Sequence, residues 1–206
     1  TDEMAEYYCG THSASQRGDI EIEAIDPPEG PPSVTPGEIG IGAEPSSDAT
    51  WLWNGEDATL ERWVSAGGGA AQWEEYEDYF EVVYGTGDIE TQAEFGDCHL
   101  HLEFRAPDDV AGDGQSRANS GIFLMDRYEF QVLDNYENPT YADGMAGAYY
   151  AQAPPLVNPF RPPGEWQAYD IFWHTPRFDD EGNLARPAQA TVLINGVTVL
   201  AHLNLE

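Results

Sequence analysis

Two stretches of this chain, 98–105 and 127–134, alternate apolar and polar residues so regularly that only a half-buried β-strand accommodates them. The apolar residues of each stretch share one face: Leu100, Leu102 and Phe104 in the first, and Tyr128, Phe130 and Val132 in the second. An amphipathic helix would repeat its apolar positions every three to four residues instead. Each strand is therefore expected to turn one face to a core and to present polar groups on the other.

Other short apolar runs are separated by glycine, proline and aspartate, which is typical of an all-β domain. Residues 120–125 are predicted to form a more continuously buried strand. The runs 191–194 and 197–200 flank Asn195-Gly196, and an Asn-Gly pair is the strongest short-range signal for a β-hairpin. We therefore predict an antiparallel β-sandwich, with its two sheets packed face to face.

The chain has 206 residues, enough for one domain with a sizeable core. Residues 1–47 are rich in proline, glycine and acidic residues, and we interpret them as an irregular N-terminal tail or linker. Residues 48–206 form the predicted sandwich. Within it, 136–163 is expected to be a long loop, and loops of that length usually carry function or are disordered.

The charge is extreme, with 38 acidic residues, eight arginines and no lysine, for a formal net charge of −30. Molar salt shortens the Debye length to about 3 Å and removes much of the resulting self-repulsion, so we interpret this composition as adaptation to high salt. An acidic secreted protein from an ordinary medium is the alternative. The same charge argues against nucleic acid as a partner, because phosphate binding needs a basic stripe. No apolar run is long enough for membrane insertion.

The polar faces of the two alternating strands supply the candidate site. His99, His101 and Glu103 lie on the first, and Arg127, Glu129 and Gln131 on the second. A solvated outer face is the simpler interpretation, but hydrogen-bonding groups of this kind beside an aromatic such as Trp166 suit a sugar. Glu103 and Glu129 could form the carboxylate pair that glycoside cleavage uses, or each could pair with a neighbouring arginine.

His99 and His101 could hold a divalent metal together, although no third ligand is evident from their spacing. No cofactor is otherwise indicated. A serine nucleophile elbow, a phosphate-binding glycine loop and a dinucleotide fingerprint are all absent from the sequence. Those enzyme classes are set aside.

In combination and in this order, six segments resemble the 3-keto-disaccharide hydrolase family, a concanavalin A-like sandwich of the jelly-roll type. They are Gly85–Ile89, Phe95–Arg105, Ala118–Leu124, Arg127–Asp134, Gln152–Asn158 and Arg161–Asp170. The resemblance runs from about Ser47 to the end of the chain. It implies a hydrolase or lyase that cleaves sugars already oxidised at carbon 3.

Under this resemblance the chemistry is abstraction of the carbon 2 proton, elimination of the aglycone and hydration of the product. Glu129 is then the preferred base or acid and Arg127 the enolate stabiliser, with Glu103 and His101 as second choices for catalysis. The residues expected to contact the substrate are Asn119, Gln131, Asp134, Trp166 and His99.

Family members continue with further strands beyond the Asn195-Gly196 hairpin, so we expect this chain to lack the last strands of the domain. A non-catalytic, lectin-like carbohydrate-binding module is the alternative function, and an ordinary two-carboxylate glycoside hydrolase is a third. We expect an extracellular, periplasmic or cell-surface location in a high-salt environment. The oligomeric state is not indicated by the sequence.

Overall fold

The computed structural model describes residues 3–10, 31–36, 40–42 and 44–205. In that part of the chain, fourteen short strands and three single-turn 3-10 helices are joined by turns, which confirms the all-β prediction. The strands are β1 (Glu3–Gly10), β2 (Thr50–Trp53), β3 (Trp63–Ser65), β4 (Glu74–Glu75), β5 (Phe80–Glu81), β6 (Ile89–Thr91), β7 (Cys98–Arg105), β8 (Ser120–Leu124), β9 (Tyr128–Val132), β10 (Gln167–His174), β11 (Arg177–Phe178), β12 (Leu184–Arg186), β13 (Ala188–Ile194) and β14 (Val197–Leu205). The 3-10 helices are Leu60–Arg62, Gly114–Ser116 and Ala142–Gly144.

One sheet contains eight of these strands, and its antiparallel centre is β13, β10 and β7. The order runs β14-β13-β10-β7-β1-β5-β4, and β2 pairs with β1. Three further two-stranded sheets are β3–β6, β8–β9 and β11–β12. The strands β7, β8, β9, β13 and β14 overlap the segments in which the sequence predicts strands.

The core lies between the large sheet and the β8–β9 sheet. Leu102 from β7, Phe130 from β9 and Tyr169 from β10 are fully buried in one apolar cluster. The Tyr128 ring lies 5.1 Å from the Trp173 ring, and the Tyr169 hydroxyl donates to the Gln131 carbonyl at 2.6 Å. These contacts across the two layers show that the apolar faces of both alternating strands meet, as in a β-sandwich.

The segment 136–163 is ordered against β9. Its residues 147–150 run antiparallel to β9: Gln131 N–H donates to Ala148 O at 3.0 Å, and Phe130 is bridged to Tyr149. The β8–β9 layer therefore gains a third extended segment, which lacks the alternation that reveals a strand in sequence.

The strand β1 differs from the irregular tail assigned to residues 1–47. It pairs with β7 on one side and with β5 and β2 on the other, with an irregular register between Ala5 and Tyr7. A lone eight-residue segment without sustained alternation gives little signal, because its strand state comes from the edges it pairs with. Residues 11–30, 37–39 and 43 of the assigned tail lie outside the described residues.

The predicted Asn-Gly hairpin is confirmed between β13 and β14. Asn195 and Gly196 have φ values of 50° and 75°, the left-handed pair that such a two-residue turn requires. The Asn195 side chain is also buried: its Oδ1 accepts from Ala168 N–H, and its Nδ2 donates to Pro159 O and Gln167 Oε1. The turn is thereby fastened to the start of β10.

Candidate active site

The polar row of β7 lies on the face of the large sheet that points away from the core. Asp170 of β10 is the strand partner of His101 and shares this face. One oxygen of Asp170 lies 2.8 Å from His99 Nε2 and 2.9 Å from His101 Nδ1. Glu103 Oε1 lies 3.5 Å from His101 Nε2 and also accepts the Gly42 N–H. We call these four side chains the histidine–carboxylate cluster.

This cluster is closed and internally satisfied. His101 and Glu103 are 2% and 5% exposed. Burial alone would lower the pKa of His101, but hydrogen bonds and charge from Asp170 and Glu103 raise it to about 9. Burial would likewise raise the pKa of Asp170, but the hydrogen bonds from both histidines hold it well below its usual range. These side chains use one another as hydrogen-bond and charge partners, which indicates that the cluster stabilises the fold and is not an open catalytic site.

Trp166 lies on the same outer face, opposite Arg105 in the extension of the β7–β10 pairing. The Arg105 guanidinium carbon lies 5.2 Å from the Trp166 ring centroid, a cation–π contact. The structure therefore groups Trp166 with His99, His101 and Glu103, away from the polar row of β9.

The polar row of β9 faces outward from the other layer of the sandwich. On one edge of β9, Glu129 is paired with Phe123 of β8. On the other edge of β9, it lies opposite Tyr150 of the segment 147–150. Residues directly opposite on adjacent strands point to the same side, so the carboxylate is flanked by two aromatic side chains. We call Phe123, Glu129 and Tyr150 the aromatic–carboxylate row.

The Glu129 carboxylate is open to a ligand. It is half-buried, and no donor hydrogen-bonds its oxygens within the described part of the chain. Burial, and after it the negative charge of Asp88, raises the pKa of Glu129 above its ordinary value. A Cβ on Gly121 would lie 2.8 Å from Glu129 Oε1, so the carboxylate lies in space that a side chain at position 121 would occupy. A raised pKa makes this carboxylate a stronger base than an ordinary glutamate.

Next to Glu129 on the same face of β9, Gln131 belongs to a network of amide side chains. Gln131 Nε2 donates to Gln115 Oε1 at 3.0 Å and to Asn119 Oδ1 at 3.4 Å. Gln115 is itself fixed, because its Nε2 donates to Gly144 O and to Thr140 Oγ1. Gln131 Oε1 is buried and accepts no hydrogen bond in the described structure. Gln131 is only 1% exposed, so it positions Asn119 from below the surface.

Tyr150 is joined to a second tyrosine. The hydroxyls of Tyr141 and Tyr150 lie 2.8 Å apart. The Tyr141 ring packs directly on Gly144, where a Cβ would come within 2.0 Å of the ring. The hydrogen bond to Tyr150 raises the pKa of Tyr141 to about 12, and the negative charge of Glu129 acts in the same direction.

Asp134 and Arg127, the remaining sequence-predicted residues, have other partners. Asp134 is buried, bonds Arg117 Nε at 2.7 Å and accepts from Tyr136 N–H, so it anchors the loop that carries Asn119. Arg127 follows the β8–β9 turn, with its guanidinium 5.7 Å from the Tyr128 ring centroid. Arg127 also lines an apolar cleft, together with Phe178 of β11, Leu184 of β12 and Leu205 of β14.

The sequence-predicted residues thus fall on two surfaces separated by the core. Asn119, Glu129 and Gln131 come together on the β9 side, whereas His99, His101, Glu103 and Trp166 lie on the large sheet. Glu103 and Glu129 consequently cannot act as one carboxylate pair. The structure adds four residues to the β9 side that the sequence did not suggest: Asp88, Gln115, Phe123 and Tyr150.

Among the described residues, no group of three or more His, Cys, Asp or Glu side chains is arranged to hold a metal ion. A helix long and apolar enough to cross a membrane is likewise absent from that part of the chain. The side chains gathered on the β9 side offer a carboxylate, amide groups, phenols and aromatic faces.

Comparisons with known proteins point to sugar chemistry. Residues 48–206 match the model of a family described as the 3-keto-alpha-glucoside-1,2-lyase-like domain. Among solved structures, a candidate glycosyl hydrolase from Parabacteroides distasonis ATCC 8503 superposes with a TM-score of 0.75 at 43% sequence identity. The match covers 89% of this chain and 77% of that one. No curated protein matches the chain.

Proposed function

Because this chain belongs to the family of 3-keto-alpha-glucoside-1,2-lyase-like domains, we propose that it cleaves glycosides oxidised at carbon 3, with Glu129 as the base. The observation that carries the proposal is the open, half-buried carboxylate of Glu129 between Phe123 and Tyr150. The family match and the similar solved structure support a glycoside-acting enzyme. The keto-sugar substrate and the residue roles are the proposal.

The reaction follows from the acidity that a ketone confers. A carbonyl at carbon 3 acidifies the hydrogen on carbon 2, so a carboxylate with a raised pKa can remove it. The electron pair of that bond passes to the carbonyl oxygen as an enolate. Reformation of the ketone then creates a carbon 1–carbon 2 double bond and breaks the bond from carbon 1 to the glycosidic oxygen. Addition of water at carbon 1 and return of the Glu129 proton to carbon 2 complete a hydrolysis.

The surroundings of Glu129 suit a pyranose ring. Aromatic rings bind the apolar faces of sugars, and Phe123 is 50% exposed directly opposite Glu129. Asn119 is exposed and supplies an amide group for hydroxyls on the same surface, where Gln115 and the buried Gln131 hold it in place. A sugar resting on Phe123 would place its ring carbons near the carboxylate.

The first test compares wild type with Glu129→Gln on a 3-keto-glucoside and on its unoxidised parent, in molar salt. We expect wild type to cleave the oxidised substrate. Replacement of the base by an amide should lower kcat by about 10²–10⁴-fold, because general-base catalysis contributes that much. Release of the aglycone measures the rate, and circular dichroism verifies the fold.

Glu94→Gln is the matched control, since Glu94 is exposed and carries the same change of charge. Undiminished turnover by Glu129→Gln would remove Glu129 from the mechanism. Cleavage of the unoxidised parent alone would indicate a two-carboxylate hydrolase, with Asp88 as the second acid to examine. Binding of the sugar without turnover would indicate a carbohydrate-binding module. Parallel assays with a chelator test for a required metal.

A further inference from the structure

Elimination from a 3-keto-glycoside needs a second group besides the base, because the departing oxygen is a poor leaving group unless it receives a proton. Arg127, the cation that the sequence suggested for the reaction, lies at the β8–β9 turn beside the apolar cleft. The segment paired with β9 at Glu129 carries Tyr150, whose hydroxyl is bonded to that of Tyr141.

The backbone fixes this pair beside the carboxylate. Tyr150 N–H donates to Glu129 O at 3.0 Å, so the two residues lie side by side on adjacent strands. Ala151 N–H donates to Asp143 O at 2.8 Å, and Gly144 N–H donates to Tyr141 O at 3.0 Å. The loop that carries Tyr141 is thereby tied to the segment that carries Tyr150. Both phenols consequently have defined positions before any substrate binds.

We propose that the Tyr141–Tyr150 phenol pair donates the proton to the departing glycosidic oxygen. This inference rests on the proposed function, since it assigns the acid that complements Glu129 as base. Tyr150 is the donor to the substrate, and Tyr141 is the positioning partner that restores its proton.

The proton balance closes within the site. As the bond from carbon 1 to the glycosidic oxygen breaks, that oxygen takes its electron pair and the Tyr150 hydroxyl proton. The Tyr150 phenolate then takes the proton of Tyr141 across the 2.8 Å hydrogen bond. Tyr141 is 48% exposed and regains a proton from solvent, which receives the proton released by the water that adds its hydroxyl to carbon 1. Glu129 returns its proton to carbon 2 when water adds to carbon 1, so every group ends as it began.

The chemistry of phenols fits this role. A phenol is a stronger acid than the sugar or alkyl alcohol that it protonates, so transfer to a departing alkoxide is downhill. A carboxylic acid in the same place would compete with Glu129 for protons and would repel its charge.

The test uses two substrates that differ in their need for an acid: the 3-keto forms of methyl glucoside and of 4-nitrophenyl glucoside. Methoxide must be protonated as it leaves, whereas 4-nitrophenolate leaves without help. Tyr150→Phe keeps the ring and removes only the hydroxyl. We expect it to lose about 10²–10⁴-fold in kcat/KM on the methyl substrate and less than about tenfold on the nitrophenyl substrate.

Two further variants guard the interpretation. Tyr141→Phe should show a smaller loss with the same dependence on the leaving group. Tyr84→Phe removes a phenol that is 99% exposed and should change neither rate. Equal losses by Tyr150→Phe on both substrates would overturn the acid role and leave the assignment of Glu129 standing. Failure of wild type to cleave either substrate would overturn the proposed function, and this inference with it.

Discussion

At the level of single side chains, the two polar surfaces differ in what their carboxylates contact. Glu103 accepts a backbone N–H and faces His101, whereas Glu129 is bonded by no donor in the described structure. Strand alternation places both on polar faces but cannot separate them, because it gives the direction of a side chain and not its partners. Tyr150 was invisible for a different reason: it acquires its place beside Glu129 only through pairing of a proline- and glycine-rich segment with β9.

Removal of the Asp88 charge should change the pH dependence of the reaction. Asp88 is exposed, and its negative charge contributes to the raised pKa of Glu129 after burial. A base must be ionised to act, so Asp88→Asn should move the acidic limb of the kcat/KM profile to lower pH. The profile is measured on a 3-keto-glucoside in low salt.

The matched control is Asp180→Asn, which removes an exposed charge from the turn between β11 and β12. Asp180→Asn should leave the acidic limb of the kcat/KM profile at the same pH as in wild type. Molar salt should shrink the effect of Asp88→Asn, because exposed charges are screened. An unchanged limb in low salt would mean that a group other than Glu129 controls it.

At the level of elements, the sequence predicted β7, β8, β9, β13, β14 and the turn between the last two, but not which strands share a layer. The alternating patterns of 98–105 and 127–134 fix a polar and an apolar face for each strand. The two strands belong to different layers, and their apolar faces meet in the core between these layers. Their polar faces therefore point in opposite directions. Sequence spacing carries no information about layer membership, and the single continuous polar surface expected from it is therefore absent.

The histidine–carboxylate cluster should make the pairing of β7 with β10 sensitive to alkaline pH. The pKa of His101 is raised to about 9 by Asp170 and Glu103, against about 6.5 in an unfolded chain. The resulting stabilisation is complete below pH 6.5 and is lost as the pH rises through 9. We expect the free energy of unfolding to fall by about 3 kcal/mol over that window.

Denaturant unfolding of wild type and His101→Asn at several pH values measures this loss. The variant should be less stable at pH 6, where it leaves two buried carboxylates without their cation, and its stability should vary less with pH. His202→Asn, at an exposed histidine of β14, should keep the wild-type dependence. Parallel curves for wild type and His101→Asn would contradict the assignment.

At the level of the whole molecule, the net charge of −30 dominates the electrostatics. We expect the melting temperature to rise with NaCl, because screening weakens repulsion among surface carboxylates. Most of the rise should occur below about 1 M, where the Debye length has already fallen to about 3 Å. Differential scanning calorimetry between 0.05 and 3 M NaCl tests this, with sucrose of equal osmolality as the control. A melting temperature that responds equally to both solutes would argue against screening.

The buried hydrogen bonds of the β13–β14 turn also affect the chemical stability of Asn195. An Asn-Gly pair in a flexible chain is prone to deamidation, in which the glycine nitrogen attacks the asparagine side-chain carbonyl to form a succinimide. Here Oδ1 of Asn195 is held by Ala168 N–H, and Nδ2 by Pro159 O and Gln167 Oε1. The carbonyl cannot rotate toward Gly196 without breaking these buried bonds. The sequence has two Asn-Gly pairs, Asn54-Gly55 and Asn195-Gly196. The second should therefore resist deamidation in the folded protein during long storage.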